Sequence, residues 1–340
     1  MPSSAPSPLL AAEHLTVGYR LGRQIYTVAQ NLKLQASAGQ LICLLGPNGC
    51  GKSTLLRTLA GMQPALAGQI ILNRKPLASF SPMQRATQLA VVLTEAPDAN
   101  LTAYDLVATG RYPYTGWLGR SSDEDRHAVT EALRRTGTLD FVHRPISTLS
   151  DGERQKVVVA RAVAQSTPLL ILDEPTAHLD VPNRVAVLQL LHRLAHEHKK
   201  TVLLSTHALD LALLVADQLW LMYEGKLQSG VPEDLVLDGA LAAVFERQGV
   251  VFDQHTGTFG ISRPAGRPLR IEGASTEAFW TRRALERSGY TLAGASADAL
   301  LVRVMPGPPP RWEVETAASL WQGSSIEALL QYLKEQNAPQ

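Results

Sequence analysis

Cysteines are scarce in these 340 residues, no long uninterrupted apolar run is present, and the charges nearly cancel. The most hydrophobic stretch, 201–223, is broken by His207, Asp210 and Asp217. It therefore reads as strand, loop, helix and strand, and not as a membrane span. The first eight residues have no basic segment ahead of their short apolar patch, so no secretory signal is expected there. Cys43 and Cys50 are the only two cysteines. Cys43 falls in an apolar strand pattern and Cys50 in a glycine-rich turn, which argues against a disulfide framework and for a reducing compartment. Cys50 reads as a small residue filling a loop. A formal net charge of +1 leaves no footprint for nucleic acid, so no nucleic-acid partner is expected. With 45% hydrophobic and 19% charged residues, the chain suffices for a large domain and a small one, each with its own core.

The densest signal is Gly46, Pro47, Asn48, Gly49, Cys50, Gly51, Lys52, Ser53 and Thr54. It has the spacing G-x-x-x-x-G-K-S, preceded by the apolar run 41–45 and followed by a helix-forming segment that Gly61 ends. Small residues at that spacing let backbone N–H groups turn inward around a phosphate, helped by the positive end of the helix that follows. Lys52 would then reach β- and γ-phosphate oxygens, and the Ser53 hydroxyl would ligate Mg²⁺. A second apolar strand, 169–172, ends at Asp173 and Glu174. Asp173 stands where a carboxylate can hold the metal, and Glu174 where one can take a proton from the attacking water. A third, 201–205, ends just ahead of His207, an imidazole placed to contact the terminal phosphate.

A phosphate loop alone is compatible with kinases, GTPases, helicases and motors. The remaining motifs narrow the choice. From Leu9 to Val251 the chain resembles the ATP-binding subunits of ATP-binding cassette (ABC) transporters. Leu149, Ser150, Asp151, Gly152 and Glu153 resemble the family signature L-S-G-G-Q with two changes, and Ala177, His178, Leu179 and Asp180 resemble its D-loop. His207 corresponds to the family's switch histidine, and Tyr19 to the aromatic that stacks on adenine, a contact that tolerates any base. The resemblance implies an ATPase with ATP and Mg²⁺ as cofactors. It implies a P-loop cassette of α/β class, with a parallel core sheet, an antiparallel β-layer and a helical insert at about 100–165. It also implies a homodimer, since the family sandwiches ATP between the phosphate loop of one copy and the signature of the other. Ser150 and the backbone near Gly152 would aim donors at the γ-phosphate from a helix N-terminus. Asp151 and Glu153 bring negative charge beside a polyphosphate, which Arg154 and Lys156 can offset.

The family's Q-loop glutamine is replaced by Glu95, which could accept a bond or bind Mg²⁺ but cannot donate an amide N–H. Within the insert, residues 100–117 resemble a stretch of importer ATPases that serve ferric siderophores, haem and cobalamin. The segment Arg111 to Trp117, with aromatics broken by Pro113 and Gly116, is expected to be an exposed surface receiving a permease helix. That resemblance also implies a substrate-binding protein acting through the permease, and a cytoplasmic subunit held peripherally at the inner face of the cell membrane. The competing class is a soluble ABC ATPase of the repair or translation type, which usually joins two cassettes or carries a long coiled coil, neither of which this chain has. His192, His196 and His198 lie near one helix face, but the charges around them mark a solvated helix end and not a metal site.

Beyond Val251 the resemblance fades. Residues 252–268 are rich in turn formers and are expected to be a linker, after a cassette at 9–251 and a disordered 1–8. A small accessory α/β domain is expected over 269–340, with strands near 269–271, 299–304 and 312–315 and helices at 276–288 and 325–335. Trp280, Trp312 and Trp321 are expected in its core.

Overall fold

In the computed structural model, the residues described are 8–93, 101–115, 120–246, 250–254, 256–261, 266–292, 300–315 and 320–336. The chain divides into two units, 1–260 and 261–340.

The first unit opens with an antiparallel layer. β1 (Leu10–Leu21) pairs with β2 (Gln24–Ala36) and carries several register irregularities. β3 (Leu41–Leu45) leads into α1 (Lys52–Leu59), after which β4 (Ala67–Leu72) and β5 (Lys75–Pro76) return to the first layer, in the order β2-β1-β4-β5. The short α2 (Pro82–Ala86) precedes β6 (Leu89–Val92). The helical insert follows, with α3 (Ala103–Ala108), α4 (Asp123–Thr136) and α5 (Asp151–Ala164). Each of these helices starts at a Thr or Ser whose hydroxyl accepts a bond from the third residue onward, while that residue's carboxylate caps in return. Strand and helix then alternate through β7 (Leu169–Leu172), α6 (Val181–His196), β8 (Thr201–Ser205), α7 (Leu209–Val215) and β9 (Gln218–Tyr223), and β10 (Lys226–Gly230) adds an antiparallel edge. The resulting sheet has the order β10-β9-β3-β8-β7-β6, parallel from β9 to β6.

Because side chains alternate along a strand, this sheet serves two cores at once. Leu41, Cys43 and Leu45 pack into a cluster with the helices of the insert and α6, while Ile42 and Leu44 pack into another with α1 and the antiparallel layer. β7, β8 and β9 divide in the same way, which explains their continuous apolar sequences. Burial pushes the Cys43 thiol up to about 12, so it stays a neutral core residue.

The insert is anchored by a buried ion pair. Arg111 Nε donates to Asp125 Oδ1 at 2.8 Å, and its Nη1 donates to the Ala164 carbonyl at 2.9 Å and to Ser166 Oγ at 3.1 Å. Arg111 is thus withdrawn from the surface assigned to it by the sequence, and Asp125 supplies the partner that its buried charge requires. Tyr112 and Tyr114 are exposed, whereas Trp117 lies outside the described residues.

After β10 come α8 (Pro232–Leu237), α9 (Ala240–Phe245) and a hairpin, β11 (Val250–Asp253) with β12 (Thr258–Ile261). The hairpin occupies part of the expected linker. It is ordered because buried Phe252 joins the insert-side core and packs on Phe259, with ring centroids 5.1 Å apart. The second unit includes β13 (Arg267–Glu272), whose first two residues lie in the expected linker and which covers the strand expected near 269–271, and continues through α10 (Thr276–Arg287), β14 (Tyr290–Leu292), β15 (Leu300–Met305), β16 (Arg311–Glu315), β17 (Leu320–Gly323) and α11 (Ile326–Glu335). Its sheet has the order β14-β13-β15-β16-β17. Trp312 is buried, its indole N–H donating to Thr281 Oγ1 at 2.7 Å, and Trp321 stacks on Tyr332. Trp280 departs from the expected core position: it is 53% exposed, on the outer face of α10.

Candidate ATP-binding site

The loop between β3 and α1 is shaped by three glycines with positive φ, at 156° for Gly46, 77° for Gly49 and 105° for Gly51. Space as well as backbone angle enforces two of them. A Cβ on Gly46 would lie 2.2 Å from the Met222 carbonyl oxygen, and one on Gly51 would lie 2.0 Å from Val28 Cγ1. Pro47, Asn48 and Cys50 complete the loop, and Thr54 follows in the first turn of α1. Lys52 is buried, and its Nζ donates to the carbonyls of Gly46 at 2.9 Å and Pro47 at 3.2 Å. The loop therefore curls around its own ammonium group, which is positioned to pair with an anion in the same cradle.

From the end of β7, Asp173 faces that cradle. Its Oδ1 accepts from Ser53 Oγ at 3.1 Å and from Ser205 Oγ at 2.7 Å. Ser205, at the end of β8, also accepts from the Glu174 N–H at 2.8 Å, fixing the turn in which Glu174 adopts φ 50°. Glu174 Oε1 lies 2.7 Å from His207 Nε2. Three parallel interior strands, β3, β8 and β7, thus gather Ser53, Asp173, Glu174, Ser205 and His207 at their C-terminal ends in a continuous hydrogen-bonded chain. Ser205 was not singled out by its sequence, since a serine ending an apolar strand carries no distinctive pattern. The hydroxyl of Ser53 beside the carboxylate of Asp173 is a hard-oxygen donor pair suited to Mg²⁺. The glycine-lined cradle with its buried lysine suits a nucleoside polyphosphate.

Tyr19 lies in β1, 48% exposed, with its ring stacked on Tyr26 across the hairpin at 5.4 Å. Glu95 lies outside the described residues.

The signature residues form a separate group. Ser150 caps α5: Glu153 Oε2 accepts from the Ser150 N–H and from its hydroxyl, each at 2.9 Å. These bonds hold the Glu153 carboxyl below the usual range, the backbone N–H of Ser150 contributing most. The hydroxyl expected to face a phosphate is thus engaged in its own helix cap. Asp151 is paired with Arg154, as its charge requires. Asp180 caps α6, accepting from the Asn183 N–H at 3.0 Å. Gly152 is buried where a Cβ would lie 2.3 Å from Asn183 Oδ1, so the starts of α5 and α6 touch. Among the described residues, no hydrogen bond or ion pair joins Ser150–Glu153 to the phosphate loop. The histidines 192, 196 and 198 form no metal-ligating group among the described residues.

Comparison with known proteins places both units. Residues 29–177 match the family described as ABC transporter, and residues 266–334 match the iron ABC transporter C-terminal domain. The achromobactin transport ATP-binding protein of Dickeya dadantii is 38% identical over 239 residues, covering 69% of this chain and 87% of that protein. The iron(3+)-hydroxamate import ATP-binding protein of Bacillus subtilis is 37% identical over 240 residues, covering 70% and 87%. Among solved structures, a dimeric ATP-binding cassette in a post-hydrolysis state with ADP and Pi shares the fold, with a TM-score of 0.57 at 24% identity over 66% of this chain and 98% of that one. A glycine cradle around Lys52, carboxylates at the end of the neighbouring strand and identity above one third over nearly the whole length of these relatives lead to one conclusion: the chain belongs to the ATP-binding subunits of ABC transporters.

Proposed function

We propose that this ATPase subunit energises a permease that imports an iron chelate, a siderophore complex or haem, with cobalamin as a further cargo of the same class. The observation that carries the reading is the iron-transporter domain at 266–334 in the same chain as the phosphate cradle. The relatives named above are transport or import proteins, so the soluble repair or translation class is not favoured.

Lys52 would balance charge on the β- and γ-phosphates, and Ser53 with Asp173 would hold Mg²⁺. When bound, the ion neutralises phosphate charge and polarises the bond that breaks. Glu174 removes the proton from the attacking water, and its 2.7 Å contact keeps His207 beside it. Tyr19 supplies a face for the adenine ring. The separation of Ser150, Asp151, Gly152 and Glu153 from the loop supports a homodimer in which each copy completes the other's site, with Asp180 at the shared boundary. On engagement, the Ser150 hydroxyl exchanges Glu153 for a phosphate oxygen. Glu95, at the sequence position of the family's glutamine, would offer a further oxygen to Mg²⁺.

The permease docks on the insert beside Tyr112. An open groove of about 490 Å³ there is lined by Leu101, Leu106, Tyr112, Pro113, Arg161 and Gln165, and fits a short helix from a membrane partner. No described helix is long and apolar enough to cross a membrane. In this reading the docked permease holds the subunit peripherally at the inner face of the membrane. A substrate-binding protein would act through that permease. Purification from detergent-solubilised membranes, followed by uptake of labelled ferric siderophore, haem and cobalamin in a deletion strain, tests the reading. A multi-span partner and restored uptake of one of these cargoes are expected; restored growth without a membrane partner or uptake of any of them would refute it.

A further inference from the structure

The second unit contains an open cavity of about 580 Å³, lined by Arg267, Arg287, Lys334, Tyr290, Leu330 and the Ser288–Gly289 turn. The geometry points to a binding site there for a small multivalent anion, one carrying two or more carboxylate or phosphate groups. The three cations come from separate elements: the first residue of β13, the last of α10 and the last turn of α11. They are brought together by contacts that leave little freedom. Arg267 lies opposite Tyr290 in the parallel β13–β14 register, and Tyr290 OH donates to the carbonyl of Leu333, next to Lys334. Gly266 and Gly289 approach so closely that a Cβ on Gly266 would lie 1.9 Å from the Gly289 oxygen.

The charges of the second unit are unevenly paired. Arg270 and Arg303 in the same sheet are both ion-paired through Glu272. Arg267, Arg287 and Lys334 form no ion pair with a described residue, and among the described residues no acidic side chain lines the cavity. Arg287 and Lys334 complement the negative ends of their helices. That role would be met by cations anywhere around the helix ends, and it does not account for Arg267, which opens a strand. Three like charges around one concavity repel one another, and an anion with several oxygens relieves that repulsion at all three. Leu330 and the Tyr290 ring add an apolar wall, so a compact organic polyanion fits better than a bare inorganic one.

Citrate and inorganic phosphate serve as probes, titrated calorimetrically without magnesium into the full chain carrying Lys52→Ala, which removes the anion partner in the phosphate loop; both triple variants are made in that background. Citrate is expected to bind once per chain, at least about tenfold more tightly than phosphate, since a single phosphate cannot satisfy three separated cations. The variant Arg267→Gln/Arg287→Gln/Lys334→Gln should weaken citrate binding by about a hundredfold. The variant Arg282→Gln/Arg283→Gln/Arg311→Gln removes the same charge from exposed positions outside the cavity and should change it by less than about twofold, which separates a site from bulk attraction. The residues altered in these two variants are exposed, and an unchanged melting temperature without citrate verifies that both variants fold. Absence of citrate binding, phosphate binding as tight as citrate, or equal loss in the two variants would overturn the assignment. ATP binding by the chain with Lys52 intact, measured in parallel, reports separately on the cassette.

Discussion

Lys52 and Asp173 are buried and tied into a chain of hydrogen bonds that crosses three strands, whereas Ser150 and Asp151 stand exposed at the start of a helix and bond only to their own first turn. The first group is rigid before any ligand arrives, because each polar atom that left water found a partner inside the fold. The second is held only by a cap, whose bonds can be exchanged for those of a ligand. A site assembled from two copies gains from this inequality, since the half that positions reacting groups is preorganised and the half that reports closure is replaceable.

The comparison is broken most sharply at Glu174. Glu174→Gln should lower ATP turnover by about 10² or more while ATP binding persists and the dimer becomes long-lived, as seen by steady-state hydrolysis beside size-exclusion with ATP. Turnover near that of the wild type would remove Glu174 from the rigid half as its base.

The next largest effect concerns the scaffold of the exposed half. Arg111→Leu leaves Asp125 buried without its partner and should cost about 3–5 kcal/mol in denaturant unfolding. The pH dependence has a definite sign. The Ser122 backbone N–H, with smaller contributions from its hydroxyl and from Arg111, holds the Asp125 carboxyl below its ordinary 3.8. Its contribution is therefore fully present above that value and is lost as pH falls below it toward the folded-state pKa. Asp125→Asn should flatten the acid limb of the stability curve, and an unchanged limb would show that another carboxylate dominates it.

Ser150→Ala removes a cap and should cost about 1 kcal/mol of stability. If the cap is also the exchangeable contact, the same change should lower hydrolysis more than stability explains, and only in the engaged dimer. A mixture of Ser150→Arg with Lys52→Ala subunits should then recover activity that neither homodimer has. Smallest of all, ending the chain at Gly260 should leave ATP hydrolysis within about threefold, because the second unit has its own core cluster. Loss of folding or of ATP binding would make the two units one.

The parts of the molecule legible in the sequence are those whose chemistry is local. The phosphate loop, the carboxylates after an apolar strand and the Ser–Glu spacing at the start of α5 are each specified by adjacent residues. Arg111 illustrates the other kind. Nothing near it in sequence reveals that Asp125 and the Ala164 carbonyl will meet its guanidinium, so an arginine between tyrosines reads as surface. Ser205 and Asn183 carry no signal for the same reason, since their partners come from other strands and helices. The hairpin after α9 reads as linker because its glycine and threonines signal turns, while the Phe252–Phe259 contact that orders it depends on the folded core. Trp280 departs in the opposite direction: its size predicts burial, but α10 buries Ala278, Thr281, Ala284 and Leu285 on its inner face and leaves the tryptophan outside.

β3 has five buried residues, alternately committed to the cluster on each side of the sheet. Neither layer can detach without exposing half of this strand, so local opening offers its amides no route to solvent. Deuterium uptake at Leu41–Leu45 should accordingly proceed only through global unfolding, at the slowest rate in the cassette, and the loop that grips nucleotide hangs from the last segment of the protein to melt.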